Sequence, residues 1–128
     1  MASAPESAHT EPVEYSGTTL AAISDGMVKL HKNTCGRGPT NARCFASGNT
    51  VVCLLFGGFT KAERTLLENG DLEAVLDQRR SLYRTMAGPA TELVATTLGR
   101  RVTAMTMATD PASELETAVF VLDAPPDP

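Results

Sequence analysis

Two short β-type segments joined by Gly48-Asn49 are the feature that most constrains the fold of this chain. A two-residue connection with glycine first is typical of a type II′ hairpin turn between Thr40–Ala46 and Val51–Phe56. This turn fixes the register, so that Cys44 lies opposite Cys53. One face of the hairpin then carries only alanine, cysteine, valine and leucine, and we expect it to be buried. The other face is mixed and partly apolar.

Helical periodicity and stop signals place three helices around this hairpin. An apolar stripe predicts a first helix with Ser16 as its N-cap and Gly36 as its stop. A capping box, Thr60 to Glu63, begins a second, short helix. A third begins at Asp71 and runs to Gly99, and Gly88-Pro89 should break or kink it, because an internal proline removes a hydrogen bond. The first stripe consists of Leu20, Ile23, Met27 and Leu30.

Two further strands, Val102–Ala108 and Thr117–Leu122, complete the order α-β-β-α-α-β-β. Two hairpins with helices between them predict an α+β fold with a four-stranded, mostly antiparallel sheet and helices on one face. The other sheet face is then left for a partner, for example a second copy of the chain.

Length and charge limit the function classes. The 128 residues fit one domain, which we place at 16–123 between flexible tails at 1–15 and 124–128. Acidic residues outnumber basic ones by 15 to 11, which works against a large phosphate-binding surface. The longest apolar run, Val51–Phe56, is far short of the roughly 20 residues that span a membrane. Without a signal-peptide pattern, we expect a cytoplasmic protein with reduced thiols and no membrane insertion.

The loop after the first helix is the best candidate binding site. Its glycines free the backbone, Pro39 stiffens it, and Arg37 offers five N–H donors to an anion or a partner carboxylate. The alternative is a helix stop followed by a rigid strand entry, with Arg37 solvated. Both remain open from the sequence. The loop consists of Gly36, Arg37, Gly38, Pro39 and Thr40.

The three cysteines suggest packing more than chemistry. His31 and Cys35 lie four residues apart, but the spacing matches no zinc pattern, so we expect no metal and no cofactor. Buried structural thiols are the favoured interpretation. Cys44 and Cys53 face each other at a non-hydrogen-bonded position with Cα atoms about 4.5 Å apart, within disulfide range. We therefore predict a pair that oxidises in vitro and is reduced in the cell.

Two basic clusters are the remaining candidates: Arg79-Arg80 with Arg84, and Arg100-Arg101. They suit a nucleic acid or a membrane surface, but the acidic total favours a solvated helix face and a strand entrance. No Ser-His-Asp arrangement, phosphate loop or dinucleotide motif appears. We expect a protein that is not an enzyme.

Several blocks in order resemble the MpsC-like family, formerly a domain of unknown function and named for a sodium-translocating, membrane-potential-generating system. The resemblance spans Tyr15 to Asp123, and the Gly-Arg-Gly-Pro-Thr block is its most specific part. It supplies no catalytic residues. The blocks are KLHK at 29–32, GRGPT at 36–40, AR at 42–43, GFTKAERTL at 58–66, LGRRV at 98–102, DP at 110–111 and FVL at 120–122.

The resemblance implies a non-enzymatic accessory or interaction domain that serves a membrane ion-translocating protein from the cytoplasmic side. We expect a homodimer as well. Two alternatives stay open. One is a KH-like nucleic-acid-binding module, although a Gly-x-x-Gly loop between helices is missing and the charge is unfavourable. The other is a small-molecule-sensing regulatory domain with a pocket near Gly88-Pro89.

Overall fold

A computed structural model describes residues 15–123; the tails predicted at 1–15 and 124–128 lie outside this range, except for Tyr15. The elements follow the predicted order. They are α1 (Gly17–Cys35), β1 (Asn41–Ser47), β2 (Thr50–Phe56), α2 (Lys61–Glu68), α3 (Leu72–Leu98), β3 (Val102–Asp110), a 3-10 turn (Pro111–Ser113) and β4 (Leu115–Leu122).

The four strands form one antiparallel sheet in the order β1-β2-β4-β3. The hairpin register is confirmed: Cys44 pairs with Cys53. Gly48 adopts a φ of 60°, the left-handed conformation that the first position of a type II′ turn requires. β3 and β4 form the second hairpin, and both are longer than predicted because pairing continues to the 3-10 turn between them.

Helices α1 and α3 pack on one face of the sheet, which confirms the predicted α+β arrangement. The apolar stripe of α1 supplies Ile23 and Met27, both fully buried. They contact a sheet face on which alternate residues of β2 and β4 are buried, as the hairpin pattern predicts. Each large apolar side chain buried in this way contributes about 1.5–3 kcal/mol. The remaining core residues are Val51, Cys53, Leu55, Ala90, Val94, Ala118, Phe120 and Leu122.

The predicted helix ends are also confirmed. Ser16 Oγ accepts a hydrogen bond from the Thr19 amide at 3.1 Å and caps α1, which ends at Gly36 with a φ of 86°. Thr60 and Glu63 form the expected reciprocal capping box at the start of α2. These local signals alone place the start of each helix within a residue of its observed position.

Of the predicted break or kink at Gly88-Pro89, the break is wrong, because α3 runs without interruption through Pro89 for 27 residues; the kink stays a prediction. An internal proline costs a helix about 3 kcal/mol. Burial of Met86, Ala90 and Val94 around it stabilises the helix by more than this penalty. None of the helices in residues 15–123 is long and apolar enough to cross a membrane.

Candidate functional site

Three consecutive backbone carbonyls at the end of β2, from residue 56 to residue 58, accept hydrogen bonds from three different residues, two in the loop after α1 and one in α3. The first accepts from the Thr40 amide at 2.8 Å, the second from Arg37 Nε at 3.3 Å, and the third from Arg79 Nη2 at 3.1 Å. We call residues 56–58 the carbonyl segment. The segment connects the loop after α1 to the middle of α3.

Close contact with the loop explains the glycine at position 57 of the carbonyl segment. Gly57 adopts a φ of 78°, and a Cβ there would collide with Thr40 Oγ1. A Cβ on Gly58 would lie 3.4 Å from the backbone nitrogen of Pro39, which is buried. The segment and the loop therefore fit together only when Gly57 lacks a side chain, whereas a Cβ at Gly58 would make an ordinary van der Waals contact.

The loop at 36–40 thus has a structural role that explains Arg37. The Nε–H of Arg37 donates a hydrogen bond to the carbonyl of Gly57, while the rest of the side chain stays exposed. An arginine has five N–H donors, so most of the guanidinium still faces solvent. Within the described residues Arg37 forms no ion pair. Hydrogen bonds from Arg64 hold the pKa of Glu114 below its ordinary value, and the charge of Arg37 adds a smaller effect in the same direction. The binding role of this loop stays a prediction.

A buried ion-pair cluster lies directly beneath the carbonyl segment. Arg79 of α3 is only 1% exposed. Its Nε and Nη2 contact the two carboxylate oxygens of Glu63 at 2.5 and 2.6 Å, and its Nη1 contacts Glu116 of β4. The guanidinium also stacks 4.6 Å from the ring centre of Phe59. One side chain therefore joins α2, α3, β4 and the carbonyl segment.

The electrostatics of this cluster depend on its neighbours. Burial by itself raises the pKa of Glu116, but His31 and Arg79 together hold it below its ordinary value. His31 Nδ1 donates to the Met27 carbonyl at 2.9 Å, and its Nε2 lies 3.6 Å from Glu116. Burial raises the pKa of the Cys35 thiol, which lies 3.9 Å from Arg79 Nη1. Two carboxylates thus share one arginine, with a histidine at their side.

The interpretation of Arg79 as part of a solvated basic face is wrong. The sequence does carry a signal, since Arg79 falls on the apolar stripe of α3 between Leu76 and Tyr83. A charged residue on a buried stripe requires a partner of opposite charge. The carboxylates come from elements far apart in sequence, so the pattern of α3 alone does not reveal them.

The second basic cluster also has an internal role. Arg100 is 9% exposed. Its Nη1 donates to Tyr15 Oη at 2.8 Å and to the Gly48 carbonyl at 3.3 Å, and its Nη2 donates to the Asp123 carbonyl. Arg100 therefore ties the hairpin turn to the end of β4. The expectation of a simple solvated strand entrance is wrong for Arg100.

A groove of about 230 Å³ lies between α3 and β3, above the ion-pair cluster. Two hydroxyls in its lining, Tyr83 Oη and Thr109 Oγ1, are buried and have no hydrogen-bond partner among the described residues. Burial raises the pKa of Tyr83, and the Glu116 carboxylate raises it further. Gly88 and Pro89, where a pocket was expected, are exposed and lie outside this lining. The lining consists of Leu76, Arg79, Arg80, Tyr83, Met107, Ala108 and Thr109.

The facing cysteines are close together, as the register predicts. The two Sγ atoms lie 2.7 Å apart, and both residues are free thiols. The hydrogen bond from its partner lowers the pKa of Cys44, whereas the same contact and burial raise the pKa of Cys53. Their oxidation stays a prediction. No group of three or more His, Cys, Asp or Glu side chains within residues 15–123 is placed to hold a metal ion.

Fold and site together define a small α+β domain in which the buried charged side chains Glu63, Arg79 and Glu116 form ion pairs with one another. Residues 16–124 match the family described as "Na+-translocating membrane potential-generating system (MpsC)". The chain belongs to the MpsC family, and the resemblance found in the sequence is confirmed. No curated protein and no solved structure shows a significant match.

Proposed function

We propose that this domain is a non-enzymatic accessory subunit of a sodium-translocating system that generates a membrane potential. It acts in the cytoplasm, as a homodimer, and binds a membrane-embedded ion-translocating protein at the inner face of the membrane. Family membership supports the link to such a system. Among the described residues no helix could cross a membrane. The proposal assigns the translocation step to the membrane-embedded partner.

The observation that carries the non-enzymatic part is the buried ion-pair cluster. Catalysis requires acid, base or cationic groups that can reach a substrate. Arg79 is 1% exposed and is surrounded by Glu63, Glu116 and the carbonyl of Gly58. Groups arranged in this way hold four parts of the chain together. Their geometry favours a structural role over a reaction centre.

The partner-binding part rests on the exposed guanidinium of Arg37. Its hydrogen bond from Nε to Gly57 fixes the position of the guanidinium and leaves the Nη groups free, so less rotamer entropy is lost when a partner binds. The loop follows the C-terminus of α1, where the helix dipole disfavours a free anion. A carboxylate on a protein surface, held by several contacts at once, suits this position better.

Co-purification tests the proposal. The tagged chain is purified from its own cells in mild detergent, as wild type, as Arg37→Ala and as Arg84→Ala. Arg84 is a matched control, because it is also exposed and its contact is a local one to Ser81. We expect a membrane-embedded ion-translocating protein to accompany the wild type and the control, and to be lost with Arg37→Ala. Recovery of soluble proteins or nucleic acid alone would contradict the proposal.

A small-molecule sensor is the second candidate, favoured by the two unpartnered hydroxyls in the groove between α3 and β3. A ligand at 100 times its Kd stabilises its protein by about 2.7 kcal/mol. A screen of metabolites for a rise in melting temperature tests this function, with Tyr83→Phe as the variant that should lose the effect. A nucleic-acid module has less support, because Arg79 and Arg100 are buried.

A further inference from the structure

The sheet face opposite the helices is largely apolar. Its two central strands present half-buried side chains, and Phe45 on the edge strand β1 is 47% exposed. An exposed aromatic beside a continuous row of aliphatic side chains is typical of a protein interface. We call this surface the outer face; its apolar residues are Phe45, Val52, Leu54, Phe56, Leu115, Val119 and Val121.

Two charged side chains flank the outer face, one on each edge strand. The register places Arg43 on β1 and Asp110 on β3, at opposite edges of the sheet. The guanidinium of Arg43 lies over the ring of Phe45 at 5.4 Å. Among the described residues neither Arg43 nor Asp110 forms an ion pair, and Asp110 only accepts a hydrogen bond from Ser113. Each edge therefore carries one charge without a counterion.

We propose that the outer face binds a second copy of this chain, with the two-fold axis parallel to the strands. This orientation places β1 of one protomer over β3 of the other, so Arg43 meets Asp110 of the second copy, twice in each dimer. The two residues lie one row apart along the strands, about 7 Å, which an extended arginine spans. The result is an aligned two-sheet sandwich with an apolar centre and charged edges.

The other face-to-face arrangement is electrostatically unfavourable. A two-fold axis perpendicular to the strands would place β1 over β1 and β3 over β3. With that axis at the centre of the sheet, Arg43 would lie about one row from its own copy, and Asp110 would lie over the opposite end of β3. Neither charge would then meet one of opposite sign, and the two arginines would repel each other. The positions of the two charges thus select one orientation. This geometry rests on the homodimer in the proposed function and is independent of the membrane partner.

The test is the concentration dependence of mass, measured by analytical ultracentrifugation on the full chain. The proposal predicts a species of twice the chain mass of 13.5 kDa. Val119→Glu puts a charge in the apolar centre and should weaken the dimer by more than ~100-fold. Ser81→Glu, on exposed α3 surface, is the matched control and should leave the mass unchanged. Circular dichroism checks that each variant is folded.

Charge reversal tests the orientation. Arg43→Glu should raise the dissociation constant by about 10-fold or more, and Asp110→Arg should do the same. The double variant Arg43→Glu with Asp110→Arg should restore wild-type affinity, because the pairs reform with exchanged signs. A monomer at all concentrations would overturn the proposal, as would a dimer that survives Val119→Glu or a double variant weaker than both single ones. Loss of the membrane partner without loss of the dimer would contradict only the proposed function.

Discussion

Removing Arg79 should destabilise the fold more than any exposed substitution, because it leaves two carboxylates buried without a counterion. Breaking a buried ion pair by deleting one partner costs about 3–5 kcal/mol. Domains of this size are stable by only about 5–15 kcal/mol. We therefore expect Arg79→Ala to lose about a fifth or more of the total stability, with a fall in melting temperature of roughly 12–25 °C.

Urea unfolding followed by the helical circular dichroism signal measures this loss. The adjacent Arg80 is the control, because its ion pair with Asp77 is exposed, with Arg80 at 57%. Arg80→Ala should change the free energy of unfolding by less than about 0.5 kcal/mol. A double-mutant cycle between Arg79→Ala and Glu116→Gln should give a coupling energy of about 1–3 kcal/mol.

The reasoning would be refuted if Arg79→Ala stayed within about 1 kcal/mol of the wild type, or if it matched Arg80→Ala. A coupling energy near zero would show that Arg79 and Glu116 do not interact. Either result would remove the cluster as the contact that joins α2, α3 and β4.

Three further results are expected. The pKa of Glu116 in the folded chain is lower than its ordinary value of 4.5, so the folded chain binds fewer protons there than the unfolded chain. The stabilisation from Glu116 is therefore complete at pH values above 4.5, and it is lost as the pH falls through the pKa of the folded chain. Glu116→Gln should therefore flatten the acid limb of stability against pH, and an unchanged limb would contradict this. Diamide should take two protons and two electrons from Cys44 and Cys53, so that the S–S bond forms as its own N=N bond is reduced to a hydrazine. The mass spectrum should show a two-hydrogen loss from the protein; no loss, or the same loss in Cys53→Ser, would sink the prediction. Pro89→Ala should raise the free energy of unfolding by about 1–3 kcal/mol in urea titrations, because it restores a helical hydrogen bond; a decrease would contradict it.

Local signals made most of the fold predictable. The turn at Gly48-Asn49 fixes one strand pair, and capping residues such as Ser16 and Thr60 fix helix starts, because both act through neighbours within a few residues. The prediction of a break at Gly88-Pro89 was wrong because it used only such local signals. The packing that keeps α3 intact comes from residues distant in sequence, and a local rule does not include it.

The candidate site was predicted less completely, for the same physical reason. The loop around Arg37 was recognised from its composition, but its contact with the carbonyl of Gly57 depends on how β1 and β2 meet. The ion-pair cluster joins Glu63, Arg79 and Glu116, which are brought together only by the complete fold. Sequence spacing shows that Arg79 lies on a buried stripe and gives no information about which carboxylates neutralise it.

The membrane potential of living cells tests the central claim most directly. A potential-sensitive dye is read in the native strain, in a strain lacking this chain, and in that strain complemented with the wild type or with Arg37→Ala. An accessory subunit of a sodium-translocating system should be required for part of the potential in sodium-containing medium. Deletion should lower the potential, the wild type should restore it, and Arg37→Ala should not. A potential unchanged by deletion, at every sodium concentration tried, would contradict the proposed function.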